Sequence, residues 1–259
     1  MLLTLAALAL YSFPAGSKTT YDVNVSFDGY LPILGGRVGR AEVEMAVEAV
    51  GLTPSPEGNP RATNEIKTLQ LTYNGAVMPF GVANVREFYP KATIEFTSHG
   101  KLVKTDVPDR QVPFRLPGLD SKRLQDITFL PIEFPAGEIE TNHTFRFKKD
   151  FGGSPVEYDV TPTKIEGDRT ELAIKLTQEY TDFEDASHNS SDESAAQSKV
   201  VTKLSGEGSA TFDMKRGLVE SLAVSAAAVS EVTDLKSQAT TERKLKTKLK
   251  VSLSPTTHR

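Results

Sequence analysis

The chain has no cysteine and no tryptophan among its 259 residues. Without cysteine there are no disulfides, thiolate metal sites, thioether-linked haem, cysteine nucleophile or lipidated N-terminal cysteine. Without tryptophan the commonest aromatic platform for sugars is missing, although 13 Phe and 7 Tyr remain. Positive charge is in the minority, with 30 Lys+Arg against 34 Asp+Glu and a net charge of −4. A nucleic-acid partner needs a basic face that this balance does not supply. Hydrophobic residues make up 38% and charged residues 25%, which predicts a folded body with a real core rather than a disordered chain.

Leu2–Leu10 is an apolar run broken only by Thr4. It is far shorter than the ~20 residues that span a bilayer. Followed by Ala15-Gly16-Ser17, it has the length and the small residues of a secretory leader cleaved after Ser17, although no Lys or Arg precedes it. A buried element of the mature domain is the alternative. No later segment is apolar for long enough to hold the chain in a membrane. An exported, periplasmic or extracellular protein is expected, and a cysteine-free one fits a bacterial envelope.

Period-two alternation dominates the rest. Tyr21, Val23, Val25 and Phe27 alternate with Asp22, Asn24, Ser26 and Asp28, which predicts a strand with one wet face. Over 40–50, Ala41, Val43, Met45, Val47 and Ala49 oppose Glu42, Glu44 and Glu48 and predict a second strand despite good helix formers. Leu69, Leu71 and Tyr73 lead to the Asn74-Gly75 turn. Val82, Val85 and Phe88-Tyr89 change to helical spacing, and Asp120 or Ser121 caps a second short helix carrying Leu124 and Ile127. Between these helices, 92–96 and 102–103 form a hairpin, and Pro108, Pro113 and Pro117 mark a connection. The later strands hold Phe145 and Phe147 against Arg146 and Lys148, then 156–160, 172–176, 200–204, 210–212, 218–232 and 245–253.

The fold class expected is mainly β, with long antiparallel strands in curved sheets, half-barrel or sandwich-like, and two short helices. The boundaries are 1–17 for the leader, 18–118 for a first β half, 119–143 for a helical, proline-rich connection, and 144–259 for a second β half. A polar loop is expected at 182–198. Phe96 with Gly100 is echoed by Phe212 with Gly217, as in two related halves about a pseudo-twofold axis.

The run Gly206-Glu207-Gly208-Ser209-Ala210-Thr211-Phe212-Asp213, followed by Gly217, resembles the closing hairpin of an exported bacterial β-protein family. More distantly, long antiparallel strands with inserted short helices are similar to the open half-barrels of lipoprotein carriers. The resemblance implies an exported β protein and brings no catalytic residue with it.

The residues offer little chemistry. His99, His143, His188 and His258 lie too far apart for a ligand pair, and no Gly-x-Ser-x-Gly pentad is present. A strand follows Gly206 and Gly208, so they serve a bulge or a close backbone approach rather than a phosphate. Glu42, Glu44 and Glu48, and the acidic run from Asp182 to Glu193, read as solvated faces. No cofactor is implied. The sharpest local feature is Arg243, Lys244, Lys246, Lys248 and Lys250, a candidate contact for an anionic surface or, alternatively, lysines guarding an exposed strand.

The expected function is therefore a non-enzymatic envelope protein whose concave apolar face binds a lipid or other apolar ligand. Small inward residues such as Ala41, Ala49, Ala210 and Ala223 leave room for such a guest. The alternatives are a structural or adhesive module that binds an envelope protein, and a hydrolase using dispersed carboxylates.

Overall fold

The computed structural model describes residues 5–86, 89–107, 123–151, 154–185 and 196–254. Among these residues fourteen strands run in chain order. They are β1 (Ala6–Ala7), β2 (Lys18–Leu31), β3 (Arg37–Leu52), β4 (Arg61–Tyr73), β5 (Ala76–Val77), β6 (Ala92–Phe96) and β7 (Leu102–Thr105). There follow β8 (Ile139–Glu140), β9 (Phe145–Asp150), β10 (Pro155–Glu166), β11 (Arg169–Glu184), β12 (Ser198–Asp213), β13 (Leu218–Asp234) and β14 (Thr240–Leu253). The two short helices are α1 (Val82–Val85) and α2 (Leu124–Ile127), where helical spacing replaces alternation.

Twelve strands form one antiparallel sheet in the order β7-β6-β4-β3-β2-β14-β13-β12-β11-β10-β9, with β5 added to β4. The sheet curls without closing, so β7 and β9 are its two ends. Alternation assigns its faces. Tyr21, Val23, Val25 and Phe27 are buried on the inner side, while Asp22 and Asp28 are exposed on the outer.

This order corrects the picture of two halves about a twofold axis. In the first half the earliest strand, β2, lies at the centre of the sheet; in the second half the latest, β14, does. Strand numbers fall in the same direction through both halves. They are thus related by a shift along one sheet, and the β2–β14 pairing merges them into a single body. The paired strands β11 and β12 continue outward to Glu184 opposite Ser198, so strand replaces both ends of the expected polar loop. Residues 186–195 of that loop lie outside the described residues, as do most of the proline-marked connection and the expected caps Asp120 and Ser121.

A curled sheet presents an apolar trough that must be filled. Two segments fill it. The first is 123–134, a plug comprising α2 and the stretch after it, in which Phe129 and Leu130 are completely buried. The Phe129 ring stacks on Tyr21 at 6.2 Å. The second is 9–17, a strap that the sequence reading places in a leader. Ala9, Tyr11 and Phe13 are buried in the core, and Phe13 packs edge-on against Phe96 at 5.6 Å and Phe129 at 5.5 Å.

The strap ties together the two hairpin turns whose sequences echo one another. Tyr11 N–H donates to the Ser98 carbonyl at 2.7 Å, and Ser12 N–H donates to the Gly217 carbonyl at 3.0 Å. The Tyr11 ring meets Phe212 edge-on at 5.2 Å. Both turn glycines are required here. Gly100 and Gly217 have φ of +92° and +65°, and a Cβ would stand 2.4 Å from the Tyr11 ring or from Ser12 N.

A chain beginning at Lys18 would lack all these contacts. Phe13→Ala should cost about 3–5 kcal/mol in urea unfolding, the usual range for truncating a buried phenylalanine. Removal of residues 1–17 should abolish the cooperative transition. An unchanged midpoint in the truncated chain would rule the clamp out.

Candidate functional site: an apolar cavity in the trough

Between plug and sheet lies a partly open cavity of about 70 Å³. Two successive inward rows of the sheet line it. One row runs Phe147, Tyr158, Leu176, Gly206, Ala226 and Thr247 from β9 to β14; the other runs Val160, Ile174, Gly208, Val224, Leu249 and Val25 from β10 to β2. In both rows β12 contributes only glycine. The strands approach so closely here that a Cβ on Gly208 would stand 2.1 Å from the Ala223 carbonyl oxygen, and one on Gly206 would stand 2.8 Å from Ala226 Cβ. The glycines therefore serve a close approach, as their strand context predicts; the irregularity in the β12–β13 pairing falls further on, at Thr211/Phe212. Ala223 faces outward and is exposed, which corrects its place among the inward small residues. Gly206, Gly208 and Ala226 leave the room instead.

The plug side is closed by Asp126, Ile127, Pro131 and Ile132. Asp126 belongs to a buried ionic cluster. Lys149, with its side chain fully buried, donates from Nζ to Asp126 Oδ1 at 2.6 Å and to the Leu130 carbonyl at 2.7 Å. Arg123 Nε donates to the other oxygen of Asp126, and its Nη1 donates to the Asp150 carbonyl at 3.0 Å. Glu133 Oε1 stands 3.8 Å from Lys149 Nζ. Two cations and two carboxylates thus balance, and they fasten the plug to β9. Burial pushes the Glu133 carboxyl above its ordinary range, partly offset by Lys149. Tyr158 is raised by burial first and by the Asp126 carboxylate second, so its phenol is neutral.

Beyond Leu204, Ala228 and Leu245 the trough turns polar with Thr202, Ser230 and Arg243. Thr202 and Ser230 share a hydroxyl hydrogen bond of 2.8 Å. Arg243 binds both oxygens of Glu184 at 3.0 and 2.8 Å and lies over the Tyr30 ring at 4.3 Å. This pair joins β14 to β11 across two intervening strands, about 14 Å along a flat sheet. Only a tightly curled sheet brings the two side chains together.

The cationic residues singled out from the sequence are therefore split. Arg243 points inward and is neutralised by Glu184, whereas Lys244, Lys246, Lys248 and Lys250 stand exposed on the outer face. Lys244 pairs with Glu242 at 2.7 Å. β14 is paired on both sides at the centre of the sheet, so its lysines guard no edge. The neighbouring β2 and β3 carry Asp22, Asp28, Glu42, Glu44 and Glu48 on the same outer face, which leaves a cationic stripe one strand wide. Among the described residues no group of three or more His, Asp or Glu side chains is placed to hold a metal ion. His143 pairs with Glu140 at 2.7 Å, and His188 and His258 lie outside the described residues.

Sequence reasoning missed Lys149, Asp126 and Arg123. A signal was present, because the alternation of Phe145 and Phe147 extends to Lys149 on the same inward face.

No family model matches the chain, and no curated protein matches it. Among solved structures it is similar to one described as "Lipid-protein interactions in lipovitellin", with 14% identity and a TM-score of 0.49. The match covers 94% of this chain and 26% of that one, so the chain spans about a quarter of that protein's length. A likeness at this level assigns neither fold nor ligand.

The cluster makes a pH prediction. Between the ordinary glutamate value of 4.5 and the raised folded value, native Glu133 keeps a proton that the unfolded chain releases. Stability should then fall as pH rises through that window and level off above it. Urea midpoints measured in steps from pH 4 to 7 should show a flatter profile for Glu133→Gln. An identical slope in both proteins would remove Glu133 as its source.

Proposed function

We propose that the chain is a non-enzymatic binding protein of a cell envelope that takes an apolar ligand in the trough of its curved sheet. The observation that carries this reading is the partly open cavity between plug and sheet, with its apolar walls. At about 70 Å³ it suits a short hydrocarbon segment rather than a whole lipid, each buried CH₂ contributing ~0.8 kcal/mol. The ionisable groups around it are committed to one another in ion pairs, which supports binding over catalysis. Displacement of a neutral fluorescent dye by straight-chain hydrocarbons, with native mass spectrometry alongside, tests the reading. Ala226→Leu, which fills the cavity from β13, should weaken binding at least tenfold while leaving the urea midpoint unchanged or raised. Dye binding that ignores this substitution would place the ligand elsewhere.

A purely structural module is favoured by one observation, the plug that fills most of the trough with Phe129, Leu130 and Ile132. Absence of any bound or displaceable apolar ligand would leave that reading standing. Envelope location rests on the leader-like composition of Leu2–Ser17. N-terminal sequencing of native protein from an envelope fraction sets this against the strap: a start at or near Lys18 supports a cleaved leader and overturns the strap at 9–17, whereas Leu2 retained in a cytoplasmic fraction overturns export and keeps the strap.

A further inference from the structure

The cavity also carries information about the charge of its occupant. Among the described residues Asp126 is the one charged side chain on its wall. Both oxygens of that carboxylate are occupied, one by Lys149 and one by Arg123, and the Lys149 ammonium directs a second donor to the Leu130 carbonyl. At the far end of the trough Arg243 is likewise closed by the two-point contact with Glu184. An anionic headgroup would meet the Asp126 carboxylate with no free cation among the described residues to answer it. A cationic headgroup would have to compete with two cations already bound. Burying an unpaired charge in such walls is far costlier than burying an uncharged polar group. The remaining polar groups of the lining side chains are hydroxyls, those of Tyr158 and Thr247. Tyr158 stays protonated because burial and the adjacent Asp126 raise its pKa, so it presents an O–H and not a phenolate.

We infer that the cavity selects uncharged apolar ligands, carrying at most a neutral hydroxyl or carbonyl group, and rejects fatty-acid carboxylates of the same chain length. This inference rests on the binding function proposed above. A pocket that accepts a fatty-acid carboxylate needs a free cation at the headgroup end; the wall here carries no cation, and Lys149, Arg123 and Arg243 beside the trough each hold a carboxylate.

The test uses the full chain with labelled methyl groups and follows Val25, Leu204, Val224 and Leu249 by NMR during titration. The titrants are 1-octanol and octanoate at pH 8, where octanoate is ionised. Octanol should shift these methyls at concentrations at least tenfold below those at which octanoate acts. Octanoate binding as well as octanol would overturn the selectivity and leave the proposed function intact. No shift with either would remove the proposed function itself.

Asp126→Asn provides a second arm, because it removes a negative charge from the wall and releases donors of Lys149 and Arg123. The ratio of octanoate to octanol affinity should rise at least tenfold in this variant. An unchanged preference in a folded variant would show that the ion pairing does not set the selectivity. If the variant does not fold, the comparison of the two titrants on the unaltered chain still decides.

Discussion

A broad antiparallel sheet that curls without closing has an apolar inner face and nothing of its own opposite that face. Filling the trough is the constraint on which the rest of this structure depends. The strands cannot fill it, because their side chains project from one wall only. The chain supplies two segments from outside the sheet, the strap at 9–17 and the plug at 123–134. They meet where Phe13 packs on Phe129. Through Tyr11 and Ser12 the strap also holds the turns of β6–β7 and β12–β13, which lie far apart along the sheet order. Curvature, turn position and core filling are thus one problem with one solution.

The ionic cluster answers a narrower difficulty. A plug that enters a trough brings backbone carbonyls with it, and buried carbonyls need donors. Lys149 supplies one to Leu130, while Arg123 reaches from the plug to the Asp150 carbonyl on β9. The charge of the two cations placed there is balanced by Asp126 and Glu133, so the cluster stays neutral. Replacing Lys149 by hydrocarbon would orphan the Leu130 carbonyl, which explains a buried lysine on a strand otherwise lined with phenylalanine. The cluster also positions the plug directionally, since only one seating satisfies both oxygens of Asp126.

Much of this was legible in the sequence, because period-two alternation depends only on which face is wet. β2, β3, the β6–β7 hairpin and both helices fall where spacing places them, including β3, whose alanines and glutamates favour helix in isolation. Strand order was not legible. Nothing local in β2 or β14 says that they pair with each other, and that pairing spans almost the whole chain. The strap was not legible either, for a related reason. Small and aliphatic residues followed by Ala15-Gly16-Ser17 have the composition of a leader, and only the turns at Ser98 and Gly217 reveal that Tyr11–Phe13 has partners. Of the site, the glycines of β12 were visible as a close approach. Their consequence, an absence of side chains in two inward rows, required knowing which residues stand beside them.

The cavity and the close approach of two strands have the same origin. Gly206 and Gly208 let β12 and β13 approach to distances that a Cβ would forbid. The same two positions contribute nothing to filling the space beside them. Side chains from β11 and β13 reach towards it, but Ala226 is too short, and the plug is held back by its ionic anchor on β9. A side chain at Gly206 or Gly208 cannot close the gap without pushing β12 and β13 apart. Ala226 on β13 and Thr247 on β14 are the short lining side chains beside them. The void is therefore not slack that ordinary repacking would remove. It follows from the close approach of β12 and β13, which leaves two glycines where two inward rows would otherwise carry side chains.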